Sequence, residues 1–346
     1  MAVTIRDVAR VAGVSISTVS RALSSPDQVA DETRFRVEDA ARKMSYRPNR
    51  AARGLITGRT GSLGLVVPDL ENPFFGSICK GVQARARAMG YAVFIGDTDE
   101  DLAAETDVIR SLLKQVDGLI LCSPRGSDET LKRLAQESRV VLVNRRVADL
   151  ASLTFDNRGA VRSVLRHLVA LGHRRIAYAG GPSNSWSNGQ RTDAYRAIGA
   201  ESSELELFEL GNFAPVFAGG VQAADLGIAS GATALMAFND LMAAGMLSRL
   251  RQRGVHVPEE VSVAGCDDVP ISSLSSPTLT TVSFPRVQMG RASVDRLLDA
   301  VLSRSDDAEP MREMPVNLVV RESTGVVTTP LAPPRGSPSR SLELPA

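Results

Sequence analysis

Three cysteines and three histidines in 346 residues leave little for metal or disulfide chemistry. Cys79, Cys122 and Cys266 stand far apart, with no Cys-x-x-Cys pair and no neighbouring histidine, so neither a zinc framework nor a disulfide staple is expected. They read as buried free thiols. His167, His173 and His256 are equally isolated, and none is expected to act as a catalyst or ligand. No apolar run approaches the roughly 18 residues that span a bilayer, and Arg6 and Asp7 interrupt the start where a signal peptide needs its apolar core. The expected site of action is the cytoplasm, with no membrane partner. A Gly-x-Gly-x-x-Gly after a strand, a Gly-Lys-Ser/Thr phosphate loop and a Gly-x-Ser-x-Gly elbow are all missing. An enzyme is therefore not expected, nor is a cofactor.

Charge is uneven. Met1 to Arg59 carries 11 Lys and Arg against 6 Asp and Glu, while the remainder carries 29 against 33. A basic segment of net +5 joined to a body of net −4 is the pattern of a chain in which one part meets a polyanion.

Within the basic segment, Thr4 and Asp7 mark a helix start in which Asp7 reaches back towards the cap. Val8, Ala9 and Ala12 recur at helical spacing, Gly13 supplies the turn, and Ser15 caps a second helix whose Val19 and Leu23 face the first. This is a helix-turn-helix pattern, in which the second helix presents its N-terminal residues to base edges. Ile16, Ser17 and Arg21 occupy that place, with Thr4, Ser15 and Thr18 as further candidate DNA contacts. Ala30 to Thr33 opens a third helix with Val37, Ala40, Ala41 and Met44 on one face. Its Arg34, Arg36, Arg42 and Lys43 lie outside that stripe, either solvated or touching phosphate. Pro48 ends the helix, and Asn49 to Leu55 reads as two easily melted turns with Arg50 and Arg53 projecting. They are expected to order on DNA.

From Ser62 the pattern changes. Short apolar runs at 63–68, 91–95, 117–122 and 140–144 alternate with helical patterns near 73–89, 101–115 and 128–138. A second series at 176–180, 205–210, 235–238 and 261–265 alternates with helices near 157–171, 189–199, 216–230 and 240–253. Strands buried on both faces between helices argue parallel sheets with right-handed crossovers. The fold class is α/β: a three-helix helix-turn-helix headpiece (1–47), a hinge helix and linker (48–60), and two doubly wound lobes (61–327). A disordered tail follows (328–346). Ligands of such sheets bind beyond the C-terminal strand ends, so two facing lobes enclose a cleft. Phe74 and Phe75 begin a helix of the first lobe, Asn144 ends a strand, Arg191 opens a helix of the second lobe, and Asn239 and Asp267 each follow a strand.

Four linked motifs, Thr4-Ile5-Arg6-Asp7-Val8-Ala9, Ala12-Gly13-Val14-Ser15, Thr18-Val19-Ser20-Arg21 and Tyr46-Arg47-Pro48-Asn49, resemble the headpiece of the lactose/galactose repressor (LacI/GalR) family of bacterial transcription regulators. The resemblance runs from Thr4 to Thr324, through Asp156-Asn157-Arg158-Gly159-Ala160, Leu171-Gly172-His173, Asn239-Asp240, Gly265-Cys266-Asp267-Asp268 and Val319-Val320-Arg321-Glu322-Ser323-Thr324. It implies an effector domain like the periplasmic sugar-binding proteins, and a homodimer that represses at operator DNA under a small-molecule effector. A sugar ranks first as effector and a nucleoside or purine next. The resemblance also implies that Asn49, Arg50, Arg53 and Leu55 belong to a hinge that meets the minor groove, with Leu55 as the wedge. It places Arg191, Asn239 and Asp267 on the effector, with Trp186 and Phe213 as aromatic candidates. Against these stand an Arg191–Asp267 ion pair that closes the lobe without ligand, and core packing for Phe74 and Phe75. Two departures bear on the cleft: Phe284 replaces a common glutamine, and the segment from Tyr195 to Gly211 is a few residues short.

Overall fold

The computed structural model describes residues 3–24, 26–46, 59–302 and 311–327. Two units result, Met1–Gly61 and Ser62–Ala346. Asn49, Arg50, Arg53 and Leu55, most of the expected hinge and the whole expected tail lie outside the described residues.

In the first unit, α1 (Ile5–Ala12), α2 (Ile16–Ser24) and α3 (Asp31–Lys43) close around Val8, Val19 and Val37, one from each helix and all fully buried. Asp7 does reach back: its carboxylate accepts from the Thr4 backbone N–H at 3.0 Å and from the Thr4 hydroxyl at 2.7 Å. Gly13 turns the chain at φ 65°, a left-handed geometry that other residues adopt only at a cost. Ser15 then caps α2, accepting from Thr18 N–H at 3.1 Å. On α3, Arg34 pairs with Asp31 and Lys43 with Asp39, which places those two cations on a self-paired solvated face.

The second unit holds two parallel sheets. β1 (Ser62–Val67), α4 (Pro73–Ala88), β2 (Ala92–Asp97), α5 (Leu102–Leu113), β3 (Leu119–Cys122), α6 (Asp128–Glu137), β4 (Val140–Val143) and β5 (Ser152–Phe155) build the first lobe. The second lobe takes α7 (Asn157–Ala170), β6 (Arg175–Gly180), α8 (Trp186–Glu201), β7 (Glu206–Asn212), α9 (Phe217–Ala229), β8 (Ala234–Ala237), α10 (Asp240–Gln252) and β9 (Ser262–Ala264). After α11 (Ile271–Leu274) and β10 (Thr281–Ser283), the chain returns through α12 (Arg286–Val301) and β11 (Met311–Met314) before β12 (Asn317–Val319). The first sheet has the order β11-β5-β4-β3-β1-β2 and the second β7-β6-β8-β9, with β10 and β12 as an antiparallel pair.

The sequence reading did not include β5, α12 or β11. β5 interrupts its apolar residues with Ser152 and Thr154, so no continuous apolar run marks it, and β11 carries Arg312 and Glu313 between two methionines. For α12 the spacing was present, since Met289, Gly290, Ser293, Val294, Leu297 and Leu298 make one buried face, but no side-chain cap announces its start. α12 packs on α4 where Gly81 meets the backbone at Val287 and Gly290 meets the backbone at Ile78. A methyl group on either glycine strikes main chain, which cannot swing aside.

His173 ties the base of the second lobe together. Buried, it bonds Thr233 Oγ1 at 2.9 Å, Ser262 Oγ at 3.0 Å and the Gly325 carbonyl at 3.1 Å. Burial lowers its pKa below the usual value.

Two outcomes are expected. Gly81→Ala or Gly290→Ala should destabilise the chain by about 1–3 kcal/mol, read as a lower midpoint in urea, because overpacking is relieved only by shifting a helix. His173→Gln should narrow its stability deficit against wild type as pH falls. A histidine whose folded pKa is depressed contributes in full above its unfolded value, about 6.5, and loses that contribution below it. The variant difference isolates this effect from Asp240, whose pKa is pushed up to about 6, mainly by burial, and which acts in the opposite sense.

Candidate functional site

In the first unit, the side chains of Thr4, Ser15, Ile16, Ser17 and Arg21 are exposed and Thr18 is half-buried. Ile16 at 45% exposure is an apolar group left in water while Val19 on the same helix is sealed, the arrangement of a helix with one face for packing and one for a partner. Ser15 Oγ lies 2.8 Å from both Ser17 Oγ and Thr18 Oγ1, so the serine and threonine hydroxyls form one cluster at the helix start. Among the described residues Arg21 hydrogen-bonds only the Ser17 carbonyl, at 3.5 Å, and no carboxylate neutralises it.

In the second unit a narrow cleft, partly open to solvent, lies at the C-terminal strand ends of both sheets. The first lobe contributes Asn72, Phe74, Phe75, Glu100, Ser123, Arg125 and Asn144, and the second Ser187, Arg191, Pro215, Phe238, Asn239 and Asp267. Non-glycine residues in the left-handed region gather here: Asp99, Glu100, Ser123, Asn144, Asp267 and Asp268, with Asp267 at φ 125°. Each costs on the order of 1–3 kcal/mol, and such residues collect where side chains are aimed at a ligand.

Arg191 is the centre. Its guanidinium is buried, with Nε donating to Asn157 Oδ1 at 3.0 Å and Nη1 to the Phe238 carbonyl. It stacks over the rings of Phe238 at 4.8 Å and Phe284 at 5.5 Å. All these partners are neutral. No ion pair joins Arg191 to Asp267, so the lobe is not closed by that bridge. Asp267 takes no side-chain hydrogen bond from the described residues. Burial raises its carboxyl well above the usual range, against the pull of the nearby Arg191 charge. Among the described residues no donor meets this buried carboxyl and no acceptor meets Arg191 Nη2, an arrangement complementary to a polar ligand lying between them.

Across the cleft, Arg125 is held at each of its three guanidinium nitrogens. It grips Glu100 through Nε and Nη2, both at 2.8 Å, and the Ser123 carbonyl through Nη1 at 3.1 Å. Glu105 accepts the backbone N–H groups of Arg125 and Gly126 at 2.8 and 2.9 Å and fixes that loop.

Of the sequence candidates, Phe74, Phe75, Asn144, Arg191, Asn239 and Asp267 converge on the cleft. Phe74 and Phe75 are also core residues, in edge-to-face contact at 5.2 Å, so packing and lining coexist. Asn239 spends its amide on the fold, capping Met242 N–H at 2.9 Å and donating to the Pro215 carbonyl at 2.7 Å. Trp186 and Phe213 do not line the cleft. Trp186 is the first residue of α8, half-buried, rather than part of a loop. Phe213 packs against the second-lobe core. Glu100, Ser123, Arg125, Ser187 and Phe238 went unread, although Ser123 and Phe238 stand at strand ends, where the fold rule could have found them. Phe284 lies behind the wall, 6.0 Å from Phe74 and 5.0 Å from Phe155, and acts on the cleft through Arg191.

Comparison with known proteins adds three findings. Residues 4–49 match the model of the bacterial regulatory proteins, lacI family, and residues 165–324 that of the periplasmic binding protein-like domain. The chain is 33% identical to the HTH-type transcriptional regulator DegA of Bacillus subtilis (strain 168), over 95% of this chain and 100% of that protein. Among solved structures, the lac repressor dimer bound to operator and the anti-inducer ONPF superimposes with a TM-score of 0.82 at 28% identity, covering 94% of this chain and 100% of that one. The transcriptional regulator CelR in complex with cellobiose gives 0.69 at 29% identity, with 93% and 99% covered.

The strain at Asp267 sets a test. In the ligand-free protein, Asp267→Asn should raise the melting temperature at about pH 7.5, since it removes a buried carboxylate while asparagine tolerates positive φ. The gain should shrink as pH falls towards about 4, because a carboxyl with a raised folded pKa ceases to cost stability once the unfolded form is protonated too.

Proposed function

This chain belongs to the lacI family of bacterial regulatory proteins, and on that premise we propose that it acts as a homodimeric transcriptional repressor whose operator affinity is set by a sugar bound between the lobes. It is a DNA-binding regulator and not an enzyme, as its relatives are. A protein that reads DNA works where the DNA is, which supports the cytoplasm, and no helix among the described residues is long and apolar enough to cross a membrane.

The observation that carries the reading is the pairing of an exposed Ile16–Ser17–Arg21 surface on a closed helical core with a cleft whose Arg191 and Asp267 lack ionic partners. On the DNA side, Ile16 suits apolar contact such as a thymine methyl, Ser17 is permissive, and Arg21 can hold guanine O6 and N7. Asn49, Arg50, Arg53 and Leu55 keep their assigned hinge role on the strength of the resemblance. On the effector side, vicinal hydroxyls satisfy a guanidinium and a carboxyl together while Phe74, Phe75 and Phe238 cover the apolar face of a ring. The cellobiose held by CelR supports the sugar class. An effector moves the DNA equilibrium only by its differential affinity for two lobe arrangements, and operator DNA must alter effector affinity by the same factor.

Affinity selection of DNA should enrich a two-fold symmetric site, and Arg21→Ala should lose about 1–3 kcal/mol at the contacted base pair while relaxing preference there. Equal losses on selected and random DNA would refute the base contact. A panel of mono- and disaccharides followed by calorimetry should give one saturable ligand whose binding Asp267→Asn weakens at least about tenfold, the cost of about 1.4 kcal/mol. Saturation by a nucleoside with no sugar response would overturn the sugar assignment.

A further inference from the structure

Asn157 is the first residue of α7, where the chain has just left β5 of the first sheet for the second lobe. It is 2% exposed and does not line the cleft. Its amide nevertheless touches a cleft residue on each side. Nδ2 donates to Asn144 Oδ1 at 3.2 Å and to the Phe155 carbonyl at 3.2 Å, while Oδ1 accepts from Arg191 Nε at 3.0 Å. Asn144, at the end of β4, donates in turn to Ser123 Oγ at 2.9 Å, at the end of β3. Arg191 reaches the Phe238 carbonyl at the end of β8.

An unbroken polar line therefore runs from two strand ends of the first sheet to a strand end of the second. Its direction is not free. Arginine can only donate, so Asn157 must turn its oxygen to Arg191 and its nitrogen to Asn144, and Asn144 must then turn its own nitrogen to Ser123. Flipping either amide sets donor against donor or acceptor against acceptor in a buried site, where an unmade hydrogen bond costs about 1–3 kcal/mol. Rotation of one lobe against the other pulls against the bonds at the two ends of Asn157.

We propose that Asn157 is the positioning residue that holds the two lobes in register, by binding Arg191 through its amide oxygen and Asn144 through its amide nitrogen. A ligand that draws the Arg191 guanidinium forward pulls on this amide and so on the first lobe. That last step rests on the effector-binding reading; the lock itself does not.

The test needs no effector. Spin labels are placed on cysteines substituted at exposed Arg110 in α5 and Arg251 in α10, the native cysteines being buried, and labelled chains are diluted into an excess of unlabelled chain. Wild type should give one narrow interlobe distance by electron double resonance. Asn157→Ala should lose it, giving a broadened or shifted distribution. Asn157→Asp keeps an acceptor for Arg191, with added charge, but has no donor for Asn144, and it should broaden the distribution as well. Leu165→Ala, a core truncation in the same helix, should lower the melting temperature and leave the distance unchanged. A wild-type distribution in both Asn157 variants would overturn the lock, whatever their melting temperatures. A narrow distribution in Asn157→Asp alone would overturn the link through Asn144. If neither variant folds, Asn144→Ala, which removes the first-lobe partner, should broaden the distribution, and an unchanged one would overturn the proposal. Failure here leaves the sugar titration intact, so the two readings fall separately.

Discussion

A guanidinium group buried without a carboxylate on it is the constraint on which the second unit depends. Arg191 enters from the first half of α8, and every neighbour that holds it is neutral: an amide oxygen, a carbonyl at a strand end and two aromatic faces. Burying such a charge is expensive unless its hydrogen bonds are made and its field is answered. The protein makes the bonds and leaves part of the field open. Asp267 lies close enough for its charge to be felt, yet accepts nothing from the described residues. A buried guanidinium and carboxyl left half satisfied in this way cost stability.

The strain around the cleft has the same origin. Ser123, Asn144 and Asp267 leave their strands in left-handed geometry, each turning a polar side chain inward where a relaxed strand end would carry it past. Tight cores behind them hold those turns, with Phe74, Phe75, Phe155 and Phe284 in mutual edge-to-face contact. Phe284 illustrates how a substitution outside the wall reaches the site. It supplies an aromatic face beneath the Arg191 guanidinium.

The two lobes of the cleft treat charge differently. In the first, each nitrogen of Arg125 is held once, by Glu100 or the Ser123 carbonyl, with its loop fixed by Glu105, so that side chain is set in place. In the second, Arg191 and Asp267 stay available. On the proposed reading, a ligand would find its unspent partners in the second lobe and a fixed wall in the first, the kind of asymmetry by which a ligand can favour one lobe arrangement over another.

Local chemistry was enough for the headpiece: the Thr4–Asp7 start, the left-handed Gly13 and the apolar spacing that buries Val8, Val19 and Val37 all act within a few residues. It was enough, too, for the buried strands, whose ends singled out Asn144 and Asp267 as candidates, while Arg191, inside α8, was singled out by the resemblance. What the sequence left open are features made by residues far apart in the chain. Trp186 and Phe213 looked available and are taken up by α8 and by the second-lobe core. Arg125 and Glu100 meet only because β3 and β2 end side by side about β1. Asn157 read as one residue of a motif, and only the folding of β4, α7 and α8 around it brings Asn144 and Arg191 to opposite ends of its amide. The sequence by itself thus determined which groups exist and which local elements carry them. The tertiary structure alone decided which of those groups are spent on one another and which remain open to a ligand, because a side chain's capacity to bind is whatever its buried neighbours have not already used.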